Sequence, residues 1–382
     1  MIAWYWFFAG PAVLLAILSL RGERKRAHYV AERLAADPGR LPPASVIVPV
    51  KGEDEGLREN LAALAALDYP DYELIVAARS AADIPAGVLP PRAKVVLAHG
   101  DEPGTAEKIQ NLLAGLRATR KRTEVLAFAD SDGRVTKRWL RALVAPLSEE
   151  GVGATTGYRW FTPVPPTFWS LLRGVWDAVS GGMLGPGDAP FAWGGAIALR
   201  KETFFELHLH DRWKGEIIDD YVLSGVVHAA GMKIAYAPGA MVPSFEHVTA
   251  GRFLRWARRQ MIFTRWYNPR LWWMGLAAHI VYCAGMAAAV AASIQGYRLA
   301  EWALIALLSP GMLKGMNRAT LARAALPECE PWFKRHAWVH ATWVPLATWI
   351  WLVVLIASAF GNTIEWRGYR YDFKNRPAAQ QL

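Results

Sequence analysis

The sequence predicts an α/β domain flanked at both ends by membrane-spanning helices. Three observations carry this prediction. The 382-residue chain is 53% apolar yet 20% charged, a composition that excludes both a disordered chain and an all-membrane protein. Short β-rich runs alternate with helical patterns between residues 40 and 250, and long apolar runs lie on either side of that region. The length allows two or more domains.

Residues 2–20 form the first apolar run. It is uncharged over its whole length, which is long enough to cross a hydrocarbon core of about 30 Å as a helix. No basic segment precedes it and no small-residue cleavage site follows before Arg21, so the sequence favours a transmembrane helix over residues 1–22 rather than a cleaved signal peptide. Arg21, Arg24, Lys25 and Arg26 come next and predict that the following domain is cytoplasmic.

Three further apolar runs predict transmembrane helices within residues 271–362. The runs at 271–294 and 337–360 are long enough to span a bilayer. The run at about 299–313 is short and contains Glu301 and Pro310, so it either crosses with tilt or returns as a hairpin. A polar tail, residues 363–382, follows, and its side of the membrane stays open because the number of crossings is open.

The net charge of +10 raises the question of an anionic partner. Its basic residues crowd beside the apolar runs, as at Lys314 and Arg318, which is typical of loops on an anionic membrane surface. No basic nucleic-acid recognition motif is visible, so we expect the lipid bilayer as a partner and no nucleic acid. The two cysteines exclude a disulfide framework and a Cys-rich zinc site. The sequence leaves the oligomeric state open.

Five β-rich runs predict a largely parallel sheet covered by helices: 45–50, 73–77, 94–98, 124–129 and 153–158. Leu57, Leu61 and Leu64 have the spacing of a core-facing helix after the first run. Ligands of such sheets bind at the carboxyl ends of the strands, so the residues directly after each run are the candidate site.

Asp130-Ser131-Asp132 follows the fourth run directly. Alternate residues of an extended segment point the same way, so both carboxylates can share one hard divalent cation. A solvated turn is the alternative, but the position after a buried strand favours metal or nucleotide binding. Gly52 and Gly133 would permit the tight turns of the two loops.

Asp219 and Asp220 precede a predicted helix over residues 221–230. The pair would stabilise the helix N-terminus, or one carboxylate would act as a general base on an acceptor hydroxyl. The pair alone does not decide between these roles.

Arg252, Arg255 and Trp256 lie on a predicted amphipathic helix over residues 251–270. The two arginines share a helical face. The helix would lie in a membrane interface, or the guanidinium groups would hold a diphosphate while the indole stacks on a sugar or nucleotide.

Taken in order, these segments resemble the inverting GT-A glycosyltransferases that act on lipids and polysaccharides, and the ceramide glucosyltransferase type in particular. The resemblance covers nearly the whole chain and consists of PVKGED at 49–54, LDYPDYE at 67–73, KIQNL at 108–112, DSD at 130–132, DDY at 219–221, RFLRW at 252–256 and IEWRGYRY at 364–371.

This resemblance implies a cytosolic GT-A domain, Rossmann-like and of the nucleotide-diphospho-sugar transferase kind, over residues 40–250. It implies a UDP-sugar donor, UDP-glucose in the first place, a membrane lipid acceptor such as ceramide, and Mg²⁺ or Mn²⁺ as cofactor. By role, the implied residues are Lys51, Glu53 and Lys108 at the nucleotide sugar, Asp130 and Asp132 at the metal, Asp219 and Asp220 at the catalytic base, and Arg252, Arg255 and Trp256 at the diphosphate and acceptor.

One family position departs from this pattern. An aspartate is expected near residues 78–82, where the chain has none; Asp83 replaces it after a short shift, or the position is lost. His247 is a candidate third metal ligand, although a structural histidine near the membrane is the simpler interpretation. Residues 191–196 are expected to form the acceptor loop.

Several alternatives stay open at this point. The acceptor could be a hopanoid, a diacylglycerol or an isoprenoid lipid, and a processive polysaccharide synthase shares the Asp and Arg motifs. An inactive lipid-binding scaffold is the alternative from another class of protein. We expect a multi-pass protein of a bacterial inner membrane.

Overall fold

The computed structural model describes residues 4–99 and 104–374, which form two compact units. The helical unit comprises the described residues within Met1–His28, Pro165–Gly182 and His247–Gly361. The sheet unit comprises those within Tyr29–Val164, Met183–Glu246 and Asn362–Leu382.

The strands are β1 Ala44–Pro49, β2 Tyr72–Ala78, β3 Ala93–Leu97, β4 Val125–Ala129, β5 Val152–Thr156, β6 Arg159–Phe161, β7 Ala196–Arg200, β8 Lys233–Tyr236, β9 Val242–Ser244, β10 Thr363–Trp366 and β11 Tyr369–Asp372. The α-helices are α1 Trp6–Leu18, α2 Glu23–Ala35, α3 Leu57–Ala65, α4 Glu107–Arg117, α5 Trp139–Val144, α6 Phe168–Gly181, α7 Lys201–Glu206, α8 Leu209–Arg212, α9 Asp219–Ala229, α10 Ala250–Tyr267, α11 Pro269–Ile294, α12 Arg298–Ala325, α13 Glu330–His336, α14 Val339–Thr342 and α15 Val344–Ala359.

The main sheet has the order β3-β2-β1-β4-β7-β5-β8. Its strands pair in parallel except where β7 runs antiparallel between β4 and β5. The predicted α/β class and the largely parallel sheet are confirmed, and the five predicted strands agree with β1 to β5 within two residues at each end. Such sheets are covered on both faces, which is why every residue of β2 and β4 is buried.

Close packing of α4 on the sheet depends on Gly115. A Cβ atom at this position would lie 2.5 Å from Cγ2 of Ile47 on β1, so only glycine lets the helix approach the strands this closely. The helix in turn carries Lys108 at its first turn, toward the carboxyl edge of the sheet. Packing in the core therefore positions a candidate site residue.

The loops after β1, β2 and β4 emerge at one edge, because these three strands are parallel neighbours. Gly52 has a left-handed φ of +65°, as the predicted tight turn requires. The turn explanation for Gly133 is wrong. This residue does not have a left-handed φ; it is glycine because a Cβ atom would lie 2.5 Å from Cγ1 of Val242.

The helical unit packs around stacked indoles. The rings of Trp176 and Trp351 lie 4.1 Å apart and nearly parallel, at 14°. Trp351 Nε1 also donates to the carbonyl oxygen of Trp176 at 3.0 Å. By length and composition, the stretches Trp6–Ala35 and Pro269–Ile294 are candidate membrane spans, and Val344–Ala359 is a shorter apolar helix.

The structure differs from the sequence-based expectations for two of the apolar runs. The run at 337–360 is not one long helix: α14 ends at Thr342 and α15, with 16 residues, begins at Val344. Pro345, at the start of α15, has no amide hydrogen and favours a helix start rather than a helix interior. The run at 299–313 does not return as a hairpin, because α12 continues through Pro310 to Ala325.

Residues 363–374, expected only as part of a polar tail, belong to the sheet unit. Strands β10 and β11 pair antiparallel, with Trp366 opposite Tyr369 and a two-residue turn between them. We call residues 363–372 the C-terminal hairpin.

Candidate active site

The loops after β1 and β4 are held together by side chains. Ser131 donates its hydroxyl to Asp54 Oδ2 at 2.5 Å, and Asn60 Nδ2 on α3 donates to the carbonyl oxygen of Ser131 at 3.0 Å. Both contacts lie at the carboxyl edge of the sheet, where they fix the position of the Asp-Ser-Asp segment relative to the first loop.

Lys108 connects two parts of the sequence that are far apart. Its Nζ lies 3.0 Å from Asp130 Oδ1 and 3.0 Å from Asp219 Oδ1. Burial disfavours the ammonium ion, but the charges of Asp130, Asp219 and Asp220 outweigh it and raise the pKa of Lys108. Lys108 is therefore a fixed cation between the two carboxylate motifs. We call Asp130, Asp132, Asp219 and Asp220 the carboxylate cluster.

Arg159, at the start of β6, is the second cation of this cluster. Its Nη2 lies 2.6 Å from Asp132 Oδ1 and 3.6 Å from Asp130 Oδ2, and its guanidinium carbon is 5.1 Å from the ring centre of Trp193. Burial raises the pKa of Asp132 despite Arg159, and the charges of Asp130, Asp54 and Glu246 add to that rise. Burial also acts on Asp130, but Lys108 and Arg159 outweigh it and lower its pKa.

Asp219 and Asp220 have different environments although they are neighbours at the start of α9. The Asp219 side chain is 2% exposed and is paired with Lys108. Asp220 accepts from the backbone N–H of Gly194 at 2.9 Å and of Tyr221 at 2.7 Å. Burial, with the charge of Asp219 next, raises the pKa of Asp220 to about 7. Asp220 is thus suited to exchange a proton near neutral pH.

The segment before β7 approaches the cluster so closely that two glycines are required. A Cβ atom on Gly194 would lie 2.8 Å from Lys108 Nζ and 3.1 Å from Asp220 Oδ2. One on Gly195 would lie 2.9 Å from Asp130 Oδ2. These residues belong to the predicted acceptor loop, and the structure brings that loop against the carboxylates.

The residues predicted at the nucleotide sugar in the loops after β1 and β2 lie outside the carboxylate cluster. Lys51 pairs with Glu107 at 2.5 Å, while Glu53 is exposed, and it is Asp54 that points inward. The Asp83 side chain accepts from the backbone and hydroxyl of Ser80 and caps a short turn. Its carbonyl accepts from Gly52 at 2.7 Å, so the second loop lies beside the first.

The arginine and tryptophan motif lies on α10 in the helical unit. Arg252 and Arg255 are exposed. Trp256 is half-buried, with its ring centre 5.5 Å from that of Trp176. His247 also belongs to this unit.

Sequence reasoning missed three charged residues of the sheet unit, namely Asp54, Arg159 and Arg367. Arg159 is 8% exposed, and a buried arginine requires acidic partners, but no spacing in the sequence indicates which ones. Arg367 stands in a segment that the resemblance included without giving it a role. It contacts Asp54, from which it is separated by 313 positions.

The carboxylate cluster is the candidate position for a divalent cation. Within residues 4–99 and 104–374, no three His, Cys, Asp or Glu side chains form a group that could hold a metal ion. Asp130 and Asp132 nevertheless converge on one guanidinium group, which shows that both face a common cation position. One or two carboxylates, completed by water and phosphate oxygens, are the usual protein ligands of Mg²⁺. The residues therefore fit a cation bound jointly with a diphosphate.

The parallel-dominated sheet thus carries an Asp-x-Asp motif and a second aspartate pair at its carboxyl edge. Residues 5–379 match Glycosyl transferase family 21. The chain belongs to this family.

Solved structures with a distant likeness include two transferases. The mannosyltransferase PcManGT from Pyrobaculum calidifontis, in complex with GDP-Man and Mn²⁺, is 18% identical; the likeness covers 91% of this chain and 97% of that one, with a TM-score of 0.45. Glucosyl-3-phosphoglycerate synthase from Mycobacterium tuberculosis, in complex with Mn²⁺, UDP and glucosyl-3-phosphoglycerate, is 18% identical over 58% of this chain and 76% of that one, with a TM-score of 0.35.

Proposed function

We propose that this family 21 glycosyltransferase is a membrane protein that moves one glucose from UDP-glucose to the hydroxyl of a ceramide or ceramide-like lipid, with inversion at the anomeric carbon. The observation that carries the proposal is the position of Asp220. Its carboxylate is half-buried, oriented by Gly194 and joined through Lys108 and Asp219 to the Asp-x-Asp motif.

In the proposed reaction Asp220 acts as the general base. It removes the proton from the acceptor hydroxyl while the hydroxyl oxygen forms a bond to the anomeric carbon and the bond from that carbon to the diphosphate oxygen breaks. The electron pair leaves with UDP. A single displacement of this kind inverts the anomeric centre. The backbone N–H of Gly194 donates to Oδ2 of Asp220, and the backbone N–H of Tyr221 donates to Oδ1. These two hydrogen bonds orient the carboxylate.

Lys108 and Arg159 have a different task, which is to hold the carboxylates in place. Lys108 fixes Asp130 and Asp219, and Arg159 fixes Asp132. Asp130 and Asp132 would hold Mg²⁺ or Mn²⁺, which supplies positive charge to the departing diphosphate. Preorganised charges of this kind need no rearrangement when negative charge develops on the leaving group.

We further propose that Arg252, Arg255 and Trp256 serve the leaving diphosphate and the acceptor, as the family resemblance implies. The exposure of both guanidinium groups supports this role. We also propose that the apolar helices anchor the protein in a bacterial inner membrane with the sheet unit in the cytoplasm. The support for that orientation is the basic segment that follows α1.

The test is release of UDP by the detergent-purified chain from a panel of UDP-sugars, with Mn²⁺ or EDTA and with or without lipid. The proposal expects EDTA-sensitive release from UDP-glucose that ceramide stimulates, and NMR of the product should show a β-linked sugar. Stimulation by a hopanoid, a diacylglycerol or an isoprenoid lipid instead would replace the acceptor. No release from any donor, with any lipid, would contradict the proposed activity.

A further inference from the structure

The turn of the C-terminal hairpin has an unexpected residue. Arg367 and Gly368 have φ angles of +52° and +83°, so both central residues are left-handed, as in a type I′ turn. This turn favours asparagine, aspartate or glycine at its first central position, and an arginine there is uncommon. In the described residues, His208 is the other non-glycine residue with a positive φ. The turn by itself does not account for the choice of arginine.

The guanidinium group of Arg367 reaches the first-strand loop. Nη2 donates to Asp54 Oδ1 at 2.6 Å, and Nη1 donates to the carbonyl oxygen of Lys51 at 3.0 Å. The charges of Asp132 and Asp130 also act on this group. The hairpin turn therefore lies beside the predicted metal ligands.

Two tyrosines of the hairpin hold it at this place. The ring of Tyr369 lies under Lys51, whose Nζ is 3.9 Å from the ring centre. Tyr371 lies near Glu107, at the start of α4, whose backbone and charge act on its phenol. Lys51 and Glu107 are themselves ion-paired, so the hairpin, the first loop and α4 form one connected network.

Arg367 keeps capacity for a ligand. Its side chain is 36% exposed, whereas its partner Asp54 is 11% exposed. A guanidinium group has five N–H donors in a planar fork that matches phosphate oxygens, and the two hydrogen bonds above leave further donors available. We propose that Arg367 binds the diphosphate of the nucleotide-sugar donor, so that the C-terminal hairpin forms one wall of the donor site. This inference rests on the proposed function.

The test compares two variants that break the same ion pair from opposite sides. Arg367→Asn removes the guanidinium group while placing a residue that the type I′ turn favours, so the hairpin should keep its fold. Asp54→Asn removes the negative charge of the ion pair but leaves Arg367 in place. Arg370→Asn, an exposed arginine on β11 of the same hairpin, is the matched control.

The measurement is the Kd of UDP and of uridine, with Mg²⁺, by calorimetry on the full chain in detergent. We expect Arg367→Asn to weaken the binding of UDP by roughly ten- to a hundredfold, which corresponds to the loss of a charge-assisted hydrogen bond, and to leave the affinity for uridine unchanged. The Arg370→Asn control should keep UDP affinity within about threefold, because it retains the phosphate-binding guanidinium group. Asp54→Asn should lose clearly less UDP affinity than Arg367→Asn, because it also retains that group and acts on UDP binding only through the contacts of Asp54 with Arg367 and Ser131.

The outcomes separate this inference from the proposed function. Equal loss of UDP affinity in Arg367→Asn and Asp54→Asn would show that the ion pair only holds the hairpin, and would overturn the inference. Unchanged UDP affinity in Arg367→Asn would overturn it as well while leaving the proposed function intact. A wild-type chain that binds no UDP would overturn both. If Arg367→Asn does not fold, Arg367→Lys, which keeps the charge and loses the fork, should weaken UDP by a smaller factor.

Discussion

Gly194 donates its backbone N–H to Oδ2 of Asp220 at 2.9 Å, and this bond joins the loop before β7 to the start of α9. The loop lies so near the carboxylate that there is no room for a side chain at Gly194. One contact thus both orients the proposed base and sets the size of the space around it.

Asp220→Asn should abolish sugar transfer and leave UDP binding nearly unchanged. The substitution keeps the shape of the side chain but removes its ability to take a proton, and a lost general base typically costs 10² to 10⁴ in rate. The measurement is kcat for transfer, together with the Kd of UDP. Asp211→Asn, an exposed aspartate paired with Lys214, is the control and should transfer at the wild-type rate. Wild-type turnover in Asp220→Asn would exclude Asp220 as the base.

The pH profile should report the raised pKa of Asp220. Because burial and Asp219 raise that pKa to about 7, the base is protonated below neutral pH, and kcat/KM should rise as pH increases through about 7. A rising limb near pH 4 would contradict this assignment.

The Asp220 carboxyl should make the protein less stable as pH rises, whereas it makes kcat/KM higher. Its pKa in the folded state lies above the ordinary value of 3.8, so its contribution favours folding at low pH and is lost as pH rises from about 4 through about 7. The loss should be absent in Asp220→Asn, which thermal unfolding at pH 5 and pH 8 would check.

Gly194→Ala should reduce transfer more than it reduces stability. The added methyl group would meet Lys108 Nζ at 2.8 Å and Asp220 Oδ2 at 3.1 Å. Lys108 can move only by loosening its contacts with Asp130 and Asp219, so the carboxylates lose their arrangement. Overpacking of this kind costs about 1–3 kcal/mol. The comparison is kcat and Tm against Gly10→Ala on α1, where the nearest atom to the new Cβ is 4.0 Å away. Full activity in Gly194→Ala would show that the loop before β7 can shift without disturbing the carboxylates, and would contradict this prediction.

Asp130→Ala should remove the metal dependence of UDP binding. It deletes one of the two carboxylates that face the common cation position and leaves Arg159 and Lys108 with excess positive charge. We expect UDP affinity with Mn²⁺ to fall to the value measured in EDTA. Asp71→Ala, which removes a surface carboxylate paired with Arg120, should retain the difference between Mn²⁺ and EDTA. An unchanged Mn²⁺ effect in Asp130→Ala would refute the metal role of Asp130.

Much of the sheet unit followed from local pattern. The strand that ends at Ala129 is an unbroken apolar run, and such runs have few places in a water-soluble unit other than the centre of a covered sheet. Its carboxyl end then had to carry Asp130 to the binding edge. The helix predicted over residues 221–230 is present as α9, which begins two residues earlier, at Asp219.

Local sequence patterns did not predict contacts between residues that are far apart in the chain. Nothing near Arg159 indicates that it pairs with Asp132, and nothing near Arg367 indicates that it reaches Asp54. Gly133 was assigned to a turn because only the folded chain brings Val242 against it. The continuous apolar run at 337–360 predicted one helix, but Pro345 favours a helix start, and a new helix, α15, begins at Val344.

The sequence by itself determined which residues would stand at the carboxyl edge of the sheet, because strand burial and loop position are local properties of the chain. Only the tertiary structure decided which cation balances which carboxylate, which aspartate of the pair contacts Lys108 and which accepts from Gly194, and where the C-terminal hairpin lies. Those outcomes depend on distances of a few ångströms between segments that are up to about three hundred residues apart in the chain, and Coulomb and desolvation energies change steeply over such distances.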